Sequence, residues 1–274
     1  MLIGWCIVRG APPSRQSAVI IRAVELGLTP DTRRAVDAIT LIDAARTAGF
    51  SALGMVSGRI DVGIRAAYEA AGLHCHELLG LQISDDLAGT IAAAERLARD
   101  AESVGATWVL TTFTAALSAE VIHAVGVCAA MFSEAGAGLA VEFSPLGPVA
   151  TIDDGLAAIA VVGTAPAGLV VDSWNFCLGG STWDDLERLP LDAIAYVQFT
   201  DALAPHGELN MEEAMTRRAL PGLGVLDLDR FASTLRGRGW DGVVSLQVLS
   251  DELRQLPVDE YACAVHDAAT RYWL

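Results

Sequence analysis

Leu139-Ala140-Val141-Glu142 is an apolar run closed by a carboxylate, and the same plan returns in Leu169-Val170-Val171-Asp172, Ile194-Ala195-Tyr196-Val197-Gln198 and Val243-Val244-Ser245-Leu246-Gln247. Strands buried on both faces read as near-continuous apolar runs. A polar group at the end of such a run is costly to bury alone. Four of them in matching places predict that the runs are strands of one sheet whose ends meet at a common site.

Working outward, strands are also expected at Ala52–Val56, about 73–79 and Thr107–Phe113, with a first strand at the N-terminal Met1-Leu2-Ile3-Gly4-Trp5-Cys6. Helical spacing fills the intervals: Thr32–Ala48 after an Asp31 or Thr32 N-cap, about 60–71, Asp86–Ser103, Ala116–Ala135, Asp153–Val162, Thr182–Glu187, Asp227–Arg236 and about Val258–Tyr272. Parallel strands need helical crossovers, and eight of them close the sheet. The expected fold is therefore a (β/α)8 TIM barrel forming a single domain over 1–274. A doubly wound open sheet is the alternative, but no strand is followed by the G-x-G-x-x-G or P-loop glycines that nucleotide-binding open sheets carry. The connection over residues 9–31, with Ala11-Pro12-Pro13-Ser14-Arg15 and then the helically spaced apolar Ala18–Leu26, is long enough to be read as a lid.

The 274 residues suit one barrel of about 250 residues. A formal charge of −16 repels phosphate backbones and anionic membranes, so no nucleic-acid or membrane partner is expected. No apolar run approaches the ~20 residues that span a bilayer. The N-terminus lacks a basic n-region and a cleavage site, so a cytoplasmic protein is expected. The five cysteines are far apart, never C-x-x-C, and read as buried free thiols. All 18 basic residues are arginine, which removes Schiff-base lysine, PLP attachment and P-loop chemistry together.

In such a barrel the chemistry sits at the C-terminal strand ends. Period-two alternation puts Ala140 with Glu142, Val170 with Asp172, Tyr196 with Gln198 and Ser245 with Gln247 on common faces. If those faces point inward, four oxygen donors converge as a hard divalent cation requires. Gln247 brings an oxygen but no charge, and cannot accept a proton at neutral pH.

Val171-Asp172-Ser173-Trp174-Asn175-Phe176, Gly179-Gly180-Ser181, Val197-Gln198-Phe199-Thr200-Asp201 and Arg218-Ala219-Leu220-Pro221-Gly222-Leu223-Gly224 together resemble the xylose-isomerase-like TIM barrels. That superfamily holds sugar isomerases, epimerases, inosose isomerases and dehydratases, and dehydroshikimate dehydratases. The likeness covers about residues 137–274; the first half matches in layout only. It implies that Glu142 and Asp172 are metal ligands from the fifth and sixth strands, that Gln198 fills the seventh-strand ligand position, and that the metal is Mg, Mn or Zn. Gln247 departs from the usual eighth-strand glutamate, and Asn175 from a frequent histidine. A homodimer is consistent with the resemblance.

The expected function is a metal-assisted isomerase or dehydratase acting on a small polyhydroxylated carbonyl compound. Glu142 is the candidate base and His206 the candidate acid. Arg218, matching the family arginine before Pro-Gly, is expected to hold the substrate's distal end, with Asn175 and Trp174 lining the site. A symmetrical two-base epimerase is disfavoured because only Glu142 can act as base. The alternative is a divergent barrel that binds a small ligand without turnover. A DNA-repair endonuclease, which shares the barrel, is disfavoured by the acidic charge.

His74-Cys75-His76 spaces two imidazoles on one face of a strand and is expected to contact loops or substrate at a strand end. Trp5 and Trp174 are candidates for an apolar wall against a sugar ring. Asp201 is a candidate to orient a ligand, or else a turn cap.

Overall fold

The computed structural model describes residues 24–274. Eight parallel strands close into a barrel: β1 Glu25–Leu28, β2 Ala52–Val56, β3 His74–Ile83, β4 Trp108–Phe113, β5 Gly138–Glu142, β6 Ala167–Asp172, β7 Ile194–Phe199 and β8 Val243–Leu246. Between and after them lie α1 Ala38–Ala48, α2 Ile64–Ala71, α3 Leu87–Val104, α4 Ala119–Glu134, α5 Ile152–Ile159, α6 Ser173–Leu178, α7 Trp183–Arg188, α8 Met211–Thr216, α9 Leu228–Gly237 and α10 Val258–Trp273. The TIM barrel expected from the alternation is the fold found. No helix of the described residues is long and apolar enough to cross a membrane.

The beginning of the barrel differs from expectation. The proposed strand at Met1–Cys6, Trp5 within it, and most of the proposed lid lie outside the described residues. The first barrel strand is Glu25–Leu28, at the end of a stretch whose apolar spacing reads as helix. Its backbone pairs with Val243–Leu246 on one side and Ala52–Leu53 on the other. Closing both neighbours' open edges outweighs a weak local preference for helix. Helix α1 starts later than expected, at an Asp37 N-cap that accepts from Thr40 N. Asp31 instead takes the Arg33 backbone N–H and pairs with Arg254 at 2.7 Å, tying the loop after β1 to the loop after β8.

The alternation expected of β5, β6 and β7 is observed. Val141, Val171 and Val197 face the helices as part of the large apolar layer. Ala140, Val170 and Tyr196 pack with Leu79 and Leu110 inside the barrel as the apolar base below the polar strand ends. Phe199 anchors the outer layer, its ring 5.3 Å from Trp273 and 5.2 Å from Tyr272.

Strand β3 is irregular, and its irregularity bears on the site. Leu53 pairs with Cys75 but Met55 pairs with Leu78, and a second shift separates Leu78 from Leu81. Gly80 absorbs the second shift at φ +129, a conformation that side chains rarely adopt. At the first shift, His76 and Glu77 both enter the barrel interior, where both contact Tyr196. Room for Glu77 comes from Gly54 on β2, where a Cβ would lie 2.6 Å from Glu77 Oε1.

Candidate active site

Register places Asp172 beside Gln198 and Gln198 beside Ser245, so the polar ends of β6 and β7 and the interior face of β8 are neighbours. A cavity of about 230 Å³ opens at this end of the barrel. Glu142, Asn175, Arg218, Gln247, Gln82 and Thr112 give it hydrogen-bonding groups, and Phe113, Leu146, Met211, Met215 and Leu249 give it apolar wall. Of the expected site residues, Glu142, Asn175, Arg218 and Gln247 therefore share one cavity. Gln82 and Thr112, from the ends of β3 and β4, join them; their polar types at strand ends are a signal the sequence carries.

Asp172 is fully buried and both of its carboxylate oxygens are engaged. Oδ1 accepts the backbone N–H groups of Trp174 at 2.6 Å and Asn175 at 3.0 Å, which makes Asp172 the N-cap of α6. Oδ2 lies 2.6 Å from Arg218 Nη1. Arg218 is itself only 4% exposed, donates Nε to the Ala214 carbonyl, and stands over the Trp174 ring at 5.4 Å. Arg218 thus sits at the strand ends beside the carboxylates, not at the distal end of the cavity. Its Nη2 makes no protein hydrogen bond among the described residues. Trp174, read as a ligand wall, is instead buried beneath this guanidinium with Ala202 and Ala214. The cap explains why: an Asp followed by a short apolar run starts a helix turn, and that turn carries Trp174 inward.

Glu142 stands at the end of β5, where Oε1 accepts from Asn175 Nδ2 at 2.9 Å. Burial pushes its carboxyl up and the Asp172 charge pushes it further, while Arg218 pulls it back; the balance is about 8. At neutral pH this carboxyl is therefore mostly protonated. Among the described residues, Gln198 Oε1 and Gln247 Oε1 are buried acceptors without a hydrogen-bond partner. Such orphans are rare and point to an absent donor or cation.

These contacts decide how far the expected four-donor set holds. Glu142 keeps Oε2 uncommitted, and the two glutamines keep their carbonyl oxygens. Asp172 is already neutralised by Arg218. Among the described residues, no three His, Cys, Asp or Glu side chains converge as a metal site, because two of the four strand-end donors are amides. The oxygen donors present suit a hard cation in type but carry little unshared charge.

His206 is exposed on the loop after β7, where its backbone N–H donates to Glu213 Oε1 at 3.2 Å, and it is not part of the cavity. Asp201 is a loop clamp: its carboxylate accepts the backbone N–H groups of Gly222, Gly224 and Leu226 within 3.0 Å. The His74 and His76 pair is a further correction, since both lie at the start of β3, away from the cavity. His74 is exposed and faces Glu25 at 3.6 Å, whereas His76 is buried 3.3 Å from Glu77 Oε1. Their difference in exposure follows from position: His74 opens the strand beside Glu25, whereas His76 lies one step further into the barrel. An exposed pair such as His74–Glu25 contributes little. His74→Ala is expected to change stability by less than about 1 kcal/mol in urea unfolding and to leave ligand binding unchanged.

The residue missed altogether is Glu77, fully buried under the cavity. Thr29 Oγ1 and Tyr196 OH each donate to it at 2.5 Å, and Gln198 Nε2 lies 3.4 Å away. Burial pushes its carboxyl up, but His76 and the hydroxyl donors more than offset this and hold it below the ordinary value. The signal for it is an acid inside an apolar strand next to a glycine-bearing one.

Comparison with known proteins agrees with this fold. Inosose isomerase of Halalkalibacterium halodurans is 32% identical over 128 residues, which is 46% of this chain and 44% of that protein. The match therefore spans less than half the length of this relative. Among solved structures, the IOLI protein with a bound zinc atom superposes with a TM-score of 0.79 at 17% identity, covering 91% of this chain and 99% of that one. The probable 3-DHS dehydratase AsbF from Bacillus anthracis gives 0.72 at 14% identity, covering 90% and 99%. At these identities the structural likeness speaks for the fold alone. Residues 42–264 match the family described as xylose isomerase-like TIM barrel, and by that match, which takes in most of the chain, the protein belongs to this family.

Proposed function

We propose that the protein is an isomerase or dehydratase acting on a small polyhydroxylated carbonyl compound of the inosose type. The observation that carries this reading is that Glu142 is the one carboxylate lining a cavity otherwise walled by neutral hydrogen-bonding groups, apolar side chains and the buried Arg218 guanidinium. The relatives named inosose isomerase support the substrate class.

In this reading Glu142, oriented by Asn175, takes the proton from the carbon that bears a hydroxyl next to the substrate carbonyl. Returning that proton to the former carbonyl carbon, while the hydroxyl proton passes to the former carbonyl oxygen, completes an isomerisation. Loss of the hydroxyl on the next carbon as water, with the proton that Glu142 has taken returned to it, completes a dehydration. Arg218, fixed by Asp172 and Ala214, keeps Nη2 for the oxygen on which charge develops. Gln247 offers its unpartnered carbonyl oxygen to a ring hydroxyl or to a cation, and Gln198, fully buried and outside the cavity lining, offers its own to a cation at the strand ends. The apolar wall excludes water from the reacting carbons.

A divalent ion (Mg, Mn or Zn) would be held by Glu142, Gln198 and Gln247, with Asp172 adjoining. When bound, such an ion polarises a carbonyl and its neighbouring hydroxyl. With one unshared carboxylate in the set, binding is expected to be weak. Gln247→Glu is expected to tighten Mn²⁺ binding at least tenfold, a gain of about 1.4 kcal/mol, measured by calorimetric titration. Unchanged affinity would remove Gln247 from the ion site.

The direct test is incubation with a panel of inososes in D₂O, with and without Mn²⁺, followed by proton NMR. Exchange of the hydrogen beside the carbonyl, or formation of an unsaturated product, is expected. Absence of both across the panel would overturn the catalytic reading. Binding without exchange would favour a ligand-binding barrel, the reading to which an amide at Gln247 lends support.

A further inference from the structure

We infer that Glu77 is a positioning residue: a buried carboxylate beneath the site that sets which end of the Gln198 amide faces the strand-end cluster. The inference rests on the reading above, in which the Gln198 oxygen receives a ligand. A glutamine amide can be turned end for end at almost no steric cost, so its orientation is decided by its hydrogen-bond partners. An ionised carboxylate only accepts. Glu77 Oε2 lies 3.4 Å from Gln198 Nε2, so the amide presents its NH₂ group downward to Glu77. Its carbonyl is then turned away from Glu77, and Gln198 Oε1 is a fully buried acceptor without a partner.

The surroundings keep Glu77 in the accepting state. Thr29 Oγ1 donates to Oε1 and Tyr196 OH to Oε2, each at 2.5 Å. Ser245 Oγ stands 2.7 Å from Thr29 Oγ1 and extends the network to β8. His76 Nε2 lies 3.3 Å from Oε1. Thr29, Tyr196 and His76 thus present protic groups to Glu77, and Gly54 leaves the space it occupies. Asp172 is the register neighbour of Gln198 and is turned to Arg218 and the α6 backbone. It therefore does not compete for the Gln198 NH₂ group.

The test reads the amide itself and needs no substrate, so failure of the functional reading leaves it standing. Protein labelled with ¹⁵N at glutamine side chains is compared by NMR with the Glu77→Gln variant, the Gln198 signal being identified by its loss in Gln198→Met. In the unsubstituted protein the Gln198 NH₂ protons are expected to exchange slowly. In Glu77→Gln, whose own amide can present either end, exchange is expected to rise at least tenfold, and Glu77→Asp is expected to restore part of the protection. If Glu77→Gln fails to fold, Tyr196→Phe serves instead. It removes one donor from Oε2, leaves the carboxylate, and is expected to move the Gln198 proton signals downfield as their share of that oxygen grows. In a second arm, Glu77→Gln is expected to raise KM for an inosose more than it lowers kcat. Gln198 NH₂ signals that stay unmoved in the variants that fold would overturn the inference.

Discussion

Arg218→Met is expected to destabilise the protein by about 3–5 kcal/mol, the effect of leaving a buried charge without its partner. Asp172 is fully buried and Arg218 is 4% exposed, so water cannot take over the role of the guanidinium. The backbone N–H groups of Trp174 and Asn175 satisfy Oδ1, but Oδ2 depends on Arg218. Urea unfolding of Arg218→Met measures the loss. Adding Asp172→Asn to Arg218→Met is expected to recover part of it, because the uncompensated charge is then gone while a side-chain oxygen remains to cap α6. A loss below about 1 kcal/mol in the single variant would mean that Asp172 is neutralised by another group.

Glu142→Gln is expected to lower kcat by about 10²–10⁴, the usual worth of a positioned acid or base, while preserving the fold. The amide matches the carboxyl in shape, and the partner Asn175 can turn its own amide to meet it. The same substitution has a signature in stability. The Glu142 carboxyl rises from 4.5 in the unfolded chain to about 8 in the fold. Between those values the native state holds a proton that the unfolded state has lost, so this group's contribution falls as pH rises from 4.5 toward about 8. Glu142→Gln is expected to flatten that part of the stability profile, measured by urea unfolding at a series of pH values. Activity runs in the opposite sense. The carboxylate that accepts a proton becomes dominant only near pH 8, so kcat/KM is expected to climb to that limb. Mn²⁺ bound beside Glu142 would shift the limb to lower pH. A pH-independent rate in the same range would remove Glu142 from the proton transfer.

The parts of this molecule that were legible in sequence are those where one physical rule acts alone. Strands β5, β6 and β7 are covered on both faces, so they appear as apolar runs, and their polar last residues stand out against them. The apolar spacing of the helices follows from their one buried stripe. Strand β1 was not legible because its four residues, Glu25–Leu28, carry too little pattern to outweigh the helical spacing before them. Its pairing partners are far away in the chain. Glu77 was hidden by the bulge. With strict alternation Glu77 points away from the face of His76, and one inserted residue turns it to the same side. The role of Asp172 was half legible. Its place at a strand end was clear, but Asp172-Ser173-Trp174-Asn175 is also a helix start, and the cap and Arg218 claim the oxygens assigned to a metal.

The stacking of Glu77 under Gln198, with Asp172 and Arg218 paired alongside, also gives the barrel axis an electrical polarity. Glu77 and Asp172 are anions, Arg218 is the single cation among them, and Glu142 is mostly protonated at neutral pH. With Asp172 paired to Arg218, the charge left over beneath the cavity is that of Glu77, on a chain whose formal charge is −16. A neutral polyol enters that field at little cost and is oriented by it, hydroxyl protons inward. A phosphate ester would bring its own charge toward the buried Glu77 and meet only a guanidinium already shared with Asp172. On the proposed reading, a neutral polyol is therefore expected to bind more tightly than its phosphate ester, which competition between the two forms in a binding titration measures.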